Sequence, residues 1–334
     1  MLGKRLGIDL GTTNSLVWLA GKGIVLNEPT VVAISPDDGR LIAVGNEAKL
    51  MLGKTPGNIE AVRPLRDGVI ADYAVTEALL RYFIQTACGR AWFFKPEVMI
   101  CIPGGVTQVE KRAVLDATLS AGARVAYLID EALAAAIGAK IPIASASGNM
   151  IVDMGGGACE AAVISLGGVV VHKSVRMAGN KIDEAIAGHL RKKYNIIIGE
   201  QTAEEIKIKI GSALALNKEE THEVKGRDSV LGLPKLVTVS STEVTTAIKP
   251  ILAQIIGTIK SVLEETPPEL ASDIVDKGIV LSGGTSQLRN LDKLMTQELG
   301  VPCHVVEDPL LSVVKGTGIA LENIDLYRRS ITSR

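Results

Sequence analysis

Cysteine is scarce in this chain. There are four in 334 residues, Cys88, Cys101, Cys159 and Cys303, and their spacing matches no metal motif. Most sit in apolar stretches, which suits reduced, buried thiols in a cytosolic protein. Charge of one sign is lacking too. The net charge is -1, so nothing calls for nucleic acid, whose phosphates favour basic proteins, or for an anionic membrane held by charge. Long uncharged apolar runs are missing. The stretch from Ala132 to Ala139 stops at Lys140, far short of a membrane span. The start, "MLGKRLGIDL", has no signal-peptide apolar region. A soluble, cytoplasmic protein is the expectation.

What is present is aliphatic and regular. Hydrophobic residues make up 47% and charged residues 22%, as in a well-buried globular protein. The length exceeds one ordinary core and suggests two domains. Strand and helix patterns alternate. "RLGIDL", "NSLVWLA" and "GIVLNEPTVVAIS" read as strands, the last with a turn in the middle. "VTEALLRYFIQTAC" has helical spacing. "EVMICIP" is a buried strand ending at Pro103, and "TQVEKRAVLDATLSAGA" a helix with Thr107 and Glu110 as a capping box. "VAYLID" and "EALAAAIGA" then give a strand and a helix of small residues. The second half repeats the plan, with three strands from "NMIVDMGGG" to "GVVVHKSVRM". Helices are predicted at Lys181 to Tyr194 and Ala203 to Ala215, then a long one interrupted at Pro250. The fold class is α/β.

One gesture occurs twice. "GIDLGTTNSL" and "IVDMGGGACEAAVI" are each an apolar run that ends in an acid and breaks into small residues. The carboxylates, Asp9 and Asp153, can hold a hard cation directly or through its waters. Gly11, Thr12, Thr13 and Asn14 on one side, and Gly155, Gly156 and Gly157 on the other, let backbone N–H groups approach phosphate. A single turn of this kind also serves an ordinary hairpin. Two copies in matching places look like two jaws on one polyphosphate. A third turn, "LSGGTSQL", holds Gly283, Gly284 and Thr285 between a strand and a helix start. It suits a base or an α-phosphate, or plain strand–helix packing.

The set "GIDLGTTNS", "YLIDEALAAAIGA", "VDMGGGACE" and "VLSGGTSQL" resembles the nucleotide cleft of actin, Hsp70 chaperones and sugar kinases. The closer resemblance is to the MreB family of actin-like cell-shape proteins. "GIVLNEPTVVAI", "AVGNEAKLMLGKTPGNI", "RPLRDGVIADY", "TQVEKRAV", "VISLGG", "TPPELASDIVDKGIVLSGG" and "VEDPLLSVVKGTG" look like that family's segments in that family's order.

The resemblance implies an actin-like ATPase fold, two similar α/β domains of RNase H-like design around a nucleotide cleft, each with a smaller subdomain. Domain I would be residues 1–139 plus 309–334, with a subdomain near 33–65. Domain II would be 140–308, with a subdomain near 178–243. The ligand would be ATP, or GTP in its place, with Mg²⁺ at Asp9 and Asp153 through water. Gly283 to Thr285 would meet the adenosine. Glu204 and Lys207, on one helix face at i, i+3, would edge the ribose and base; an exposed ion pair is the plain alternative. Gly179 and Asn180 match another nucleotide-side turn, where relatives usually carry Asp in place of Asn180. The hydrolytic role falls on Glu131, orienting the attacking water, with Asp9 and Asp153 beside it. Relatives usually read "EEP" where this chain has Asp130, Glu131 and Ala132, a change expected to loosen the helix start. Ala158 stands where relatives usually carry Thr, which implies slow hydrolysis.

The few aromatics cluster. "GRAWFFKPE" puts Trp92, Phe93 and Phe94 side by side between Arg90 and Lys95. Three adjacent aromatics cannot all face one core in a strand. On a loop they would form a patch for a membrane interface, and the resemblance implies such a loop or an N-terminal amphipathic helix. There is no room for the helix before Leu6, so the loop is predicted.

The expectation is therefore a cytoskeletal ATPase. It would polymerise with itself into filaments at the inner face of the cell membrane, organise cell shape with other cell-elongation proteins, and bind no nucleic acid. A small-molecule kinase or a plasmid-segregation actin on the same fold is the alternative. A chaperone head would need a peptide-binding domain after the cleft elements.

Overall fold

The computed structural model describes residues 3–89 and 95–334. The aromatic run Trp92, Phe93 and Phe94 lies outside the described residues.

Two sheets carry the chain. The first has the order Ile331–Ser333, Val125–Asp130, Glu97–Ile102, Arg5–Leu10, Asn14–Leu19, Gly23–Pro29. The second has the order Gly168–Val175, Cys159–Ser165, Asn149–Met154, Ile279–Ser282, Cys303–Val305. Each begins as an antiparallel meander of three strands and continues, beyond its first strand in chain order, with two parallel neighbours; the first sheet then ends in Ile331–Ser333, antiparallel to Val125–Asp130. This is the duplication that the repeated gesture announces. The central strands Glu97–Ile102 and Asn149–Met154 are buried on both faces and read as near-continuous apolar runs.

Each half has a small annex. Val32–Ile34 sits between Leu41–Val44 and Glu60–Val62, backed by the helix Asn46–Met51. In the second half, Thr221–Asp228 sits between Ile196–Ile197 and Pro234–Ser240, against the helices Gly179–Tyr194 and Glu200–Ile210.

Between the sheets lies a third core of small side chains. The helices Glu131–Gly138 and Ser312–Glu322 pack together there, with Ala134, Ala135 and Ala136 fully buried beside Met99 of one sheet and Ile151 of the other. The approach is close because Gly138 and Gly316 face each other's helix; a Cβ on Gly316 would collide with the Ala134 carbonyl.

Three local expectations change. The helix Ser241–Glu265 runs straight through Pro250. Pro250 forfeits one i→i−4 bond, yet Val244 and Ile248 before it, and Leu252, Ile255 and Ile259 after it, are all buried in the same core, and packing outweighs local propensity. By length and hydropathy this helix could cross a membrane, but its apolar face is taken up by that core. The helix expected to reach Ala215 ends at Ile210 instead. Ser212 and Ala213 are drawn into backbone contact with Arg289. The start of Glu131–Gly138 is firm, because Asp130 Oδ1 accepts from the N–H of Ala132 at 3.0 Å and of Leu133 at 3.3 Å. A proline at 132 would have no N–H to give.

Candidate functional site: a cleft between two acid-tipped hairpins

A cavity of about 550 Å³ lies between the two halves. Its floor is where both hairpins turn. Asp9 and Asp153 end their strands there, followed by Gly11 to Asn14 and by Gly155 to Gly157. Glu131, the first residue of the small-residue helix, completes the floor with Cys101. The far wall is made by Gly179, Asn180, Glu204 and Lys207 with Gly283, Gly284 and Thr285. The structure thus brings together every nucleotide-side residue expected from sequence.

The two turns touch. Thr13 Oγ1 donates to Asn180 Oδ1 at 3.2 Å, and Thr285 Oγ1 to the Gly155 carbonyl at 2.7 Å. Thr12 Oγ1 accepts from the Gly68 N–H at 2.9 Å. Any Cβ on Gly156 or Gly157 would collide with Thr13 or Thr12. Glycine is therefore required here for the close approach of two loops, and the same bare backbone could admit a phosphate.

Buried acids dominate the electrostatics. Burial, then the neighbouring Asp153, pushes Asp9 up to about 7, against a small downward pull from the Cys101 thiol. Burial raises Asp153 to about 6, opposed by the adjacent Ser282 hydroxyl. Burial, then Asp153 and Asp9, holds Glu131 well above the ordinary carboxylate range. Behind the floor, burial lifts Glu160 to about 7. Asp153 Oδ1 and Glu160 Oε1 are buried without a hydrogen-bond partner. Unpaired buried carboxylates of this kind call for a cation. Among the described residues no group of three His, Cys, Asp or Glu is placed to wrap a metal ion. Two facing carboxylates instead suit a hard cation that keeps its waters and shares phosphate oxygens, as Mg²⁺ does.

Glu204 and Lys207 do not pair with each other in this structure. Lys207 Nζ bonds Asp183 Oδ2 at 2.9 Å, and Glu204 Oε2 takes Lys49 of the first annex at 3.0 Å. Both still line the cavity. Ala158 lines it too, and leaves that position without a hydroxyl. Sequence reading missed the apolar rim of Ile208, Leu288, Pro309 and Leu310, and also Arg289. They come from separate segments and share no motif, and nothing in the sequence marks them; the exposure of Ile208 and Leu310, unusual for large aliphatic side chains, shows only in the fold.

With this geometry in hand, the likenesses to known proteins are specific. The MreB/Mbl protein family model matches residues 3–329. The cell shape-determining protein Mbl of Bacillus cereus (strain ATCC 10987 / NRS 248) is 48% identical over 325 residues, 97% of this chain and 98% of that protein. The cell shape-determining protein MreB of Escherichia coli (strain K12) is 49% identical over 332 residues, 98% of this chain and 96% of that one. The crystal structure of MreB5 of Spiroplasma citri bound to AMPPNP matches with a TM-score of 0.92 at 38% identity, covering 98% of each chain. A MamK double helical filament matches with a TM-score of 0.81 at 23% identity, covering 96% of this chain and 98% of that one, a likeness of fold alone. The fold is that of the actin-like ATPases, and the chain belongs to the MreB/Mbl family.

Proposed function

We propose that this chain is an actin-like cytoskeletal ATPase that binds ATP with Mg²⁺ in the cleft and polymerises with itself into filaments. The filaments lie at the inner face of the cell membrane and organise cell shape and wall elongation with other elongation proteins. One observation carries the nucleotide part: two acid-tipped hairpins, one from each sheet, meet over a single cavity. The MreB5 relative is bound to AMPPNP in one crystal structure and to ADP in another. The family's naming as cell shape-determining proteins supports the cellular role.

In this reading Gly11 to Asn14 and Gly155 to Gly157 hold the phosphates. Gly179, Asn180, Glu204 and Lys207 face the ribose, and Gly283 to Thr285 the adenine. Domain I comprises residues 1–139 and 309–334, and domain II residues 140–308. The cation supplies the positive charge that relieves repulsion among Asp9, Asp153 and Glu131. Glu131 orients the attacking water, and positioning does most of the work in phosphoryl transfer. Ala158 leaves that water one hydrogen bond short, so hydrolysis is slow. Trp92, Phe93 and Phe94 supply the apolar contact with the membrane.

Pelleting and electron microscopy of the purified chain with ATP and Mg²⁺, with and without lipid vesicles, test the reading. Filaments that need nucleotide and coat the vesicles are expected. Nucleotide binding with no filaments under any condition would leave a small-molecule kinase as the better description. Failure to bind nucleotide would sink both.

A further inference from the structure

The duplication that builds the two hairpins also builds their neighbours, and it seats one small donor beside each acid. Arg5–Leu10 has Glu97–Ile102 as its parallel neighbour, with Ile8 opposite Ile100. The next residues along, Asp9 and Cys101, lie side by side, and Cys101 Sγ donates to Asp9 Oδ1 at 3.4 Å. In the other half Asn149–Met154 has Ile279–Ser282 as its parallel neighbour, and Asp153 is paired directly with Ser282. The Ser282 hydroxyl lies beside the Asp153 side chain and pulls its pKa down, while donating to the Pro309 carbonyl at 3.4 Å. Both donors are buried: Cys101 is 6% exposed and Ser282 fully covered.

We infer that Cys101 and Ser282 occupy equivalent seats beside the two acids, and that Cys101, through its hydrogen bond, is a positioning residue that fixes Asp9 so that its carboxylate faces a cation bound between the halves. The two seats are unequal. Cys101 donates to its acid, though a thiol is a weak donor, whereas the one side-chain bond of Ser282 goes to the Pro309 carbonyl. Partners that orient a ligand set its affinity for metal, and Cys101 thereby tunes how much Mg²⁺ the site requires. This rests on the proposed reading of the cleft as a Mg²⁺–nucleotide site.

The test is a Mg²⁺ titration of a fluorescent ATP analogue bound to the full chain, repeated in EDTA. Wild-type binding that does not tighten with Mg²⁺ would refute the reading of the cleft, and this inference with it. Where it does tighten, Cys101→Ala is expected to raise the Mg²⁺ midpoint about three- to tenfold. Affinity in EDTA should stay within about twofold of wild type, which a general loss of packing would not leave intact. Cys101→Ser should bring the midpoint to or below the wild-type value. A wild-type midpoint in Cys101→Ala overturns the inference while leaving the nucleotide site standing. So does a Cys101→Ser midpoint above wild type, which also decides the matter if Cys101→Ala fails to fold.

Discussion

Ala158 is where a single side chain is expected to limit the rate. It faces the cavity at the end of the second glycine turn, where its carbonyl accepts from the Gly155 N–H at 3.0 Å. Replacing it with Thr adds a hydroxyl on that wall without touching the turn's backbone. Ala158→Thr is expected to raise phosphate release about tenfold or more at saturating ATP and Mg²⁺. An unchanged rate would show that this position does not limit hydrolysis. Residues of this class were legible from sequence for a physical reason. Asp9 and Asp153 end buried apolar runs, and an acid there is conspicuous because burial disfavours its charge. Ile208, Leu288 and Leu310 were not legible as site residues, since aliphatic chains carry no sign of which cavity they border.

The helix Ser241–Glu265 gives two tests at the scale of an element. Its start is a capping box of Ser240 and Glu243, and the same carboxylate takes Lys193 and the Tyr194 hydroxyl. Burial pushes Glu243 up, but the Lys193 ammonium, the Ser240 N–H and the Tyr194 hydroxyl outweigh it and hold the group at about 2. A carboxyl depressed in the folded state stabilises above its unfolded value near 4.5, and that stability is lost as pH falls towards 2. Glu243→Gln should therefore lower the melting temperature at pH 7, by about 1 kcal/mol of stability. The gap to wild type should shrink as pH drops from 5 to 2; a gap independent of pH would mean that the charge is not what matters. Further along, Pro250 is exposed and only subtracts a backbone bond. Pro250→Ala is expected to add about 1–3 kcal/mol in urea unfolding, after allowance for the freer unfolded chain. A destabilised variant would mean that the proline's fixed geometry is itself required.

Across the whole molecule, the two annexes are tied over the cleft. Lys49 Nζ meets Glu204 Oε2 at 3.0 Å, Arg63 Nη2 meets Glu200 Oε1 at 2.7 Å, and Gln201 Nε2 donates to the Lys49 carbonyl at 2.6 Å. Each half-exposed ion pair contributes about 0–1 kcal/mol, too little to govern folding but enough to bias closure. The double variant Lys49→Ala, Arg63→Ala is expected to release nucleotide about two- to tenfold faster in a chase experiment, with an unchanged melting temperature. High salt should speed release from wild type in the same direction, because it screens these pairs. Equal release rates would mean that the cleft is held shut elsewhere, as by the helix pair that meets at Gly138 and Gly316.

By itself the sequence determined the strands, the caps, the acids at the strand tips and the duplication, because alternation, glycine and buried charge act over a few neighbouring residues. Only the tertiary structure decided that Glu204 turns to Lys49 and Lys207 to Asp183 instead of to each other, and that the helix passes through Pro250. Long charged side chains reach several partners at nearly equal cost, and a helix's fate depends on the core beneath it. Both outcomes are set by segments that lie far apart along the chain.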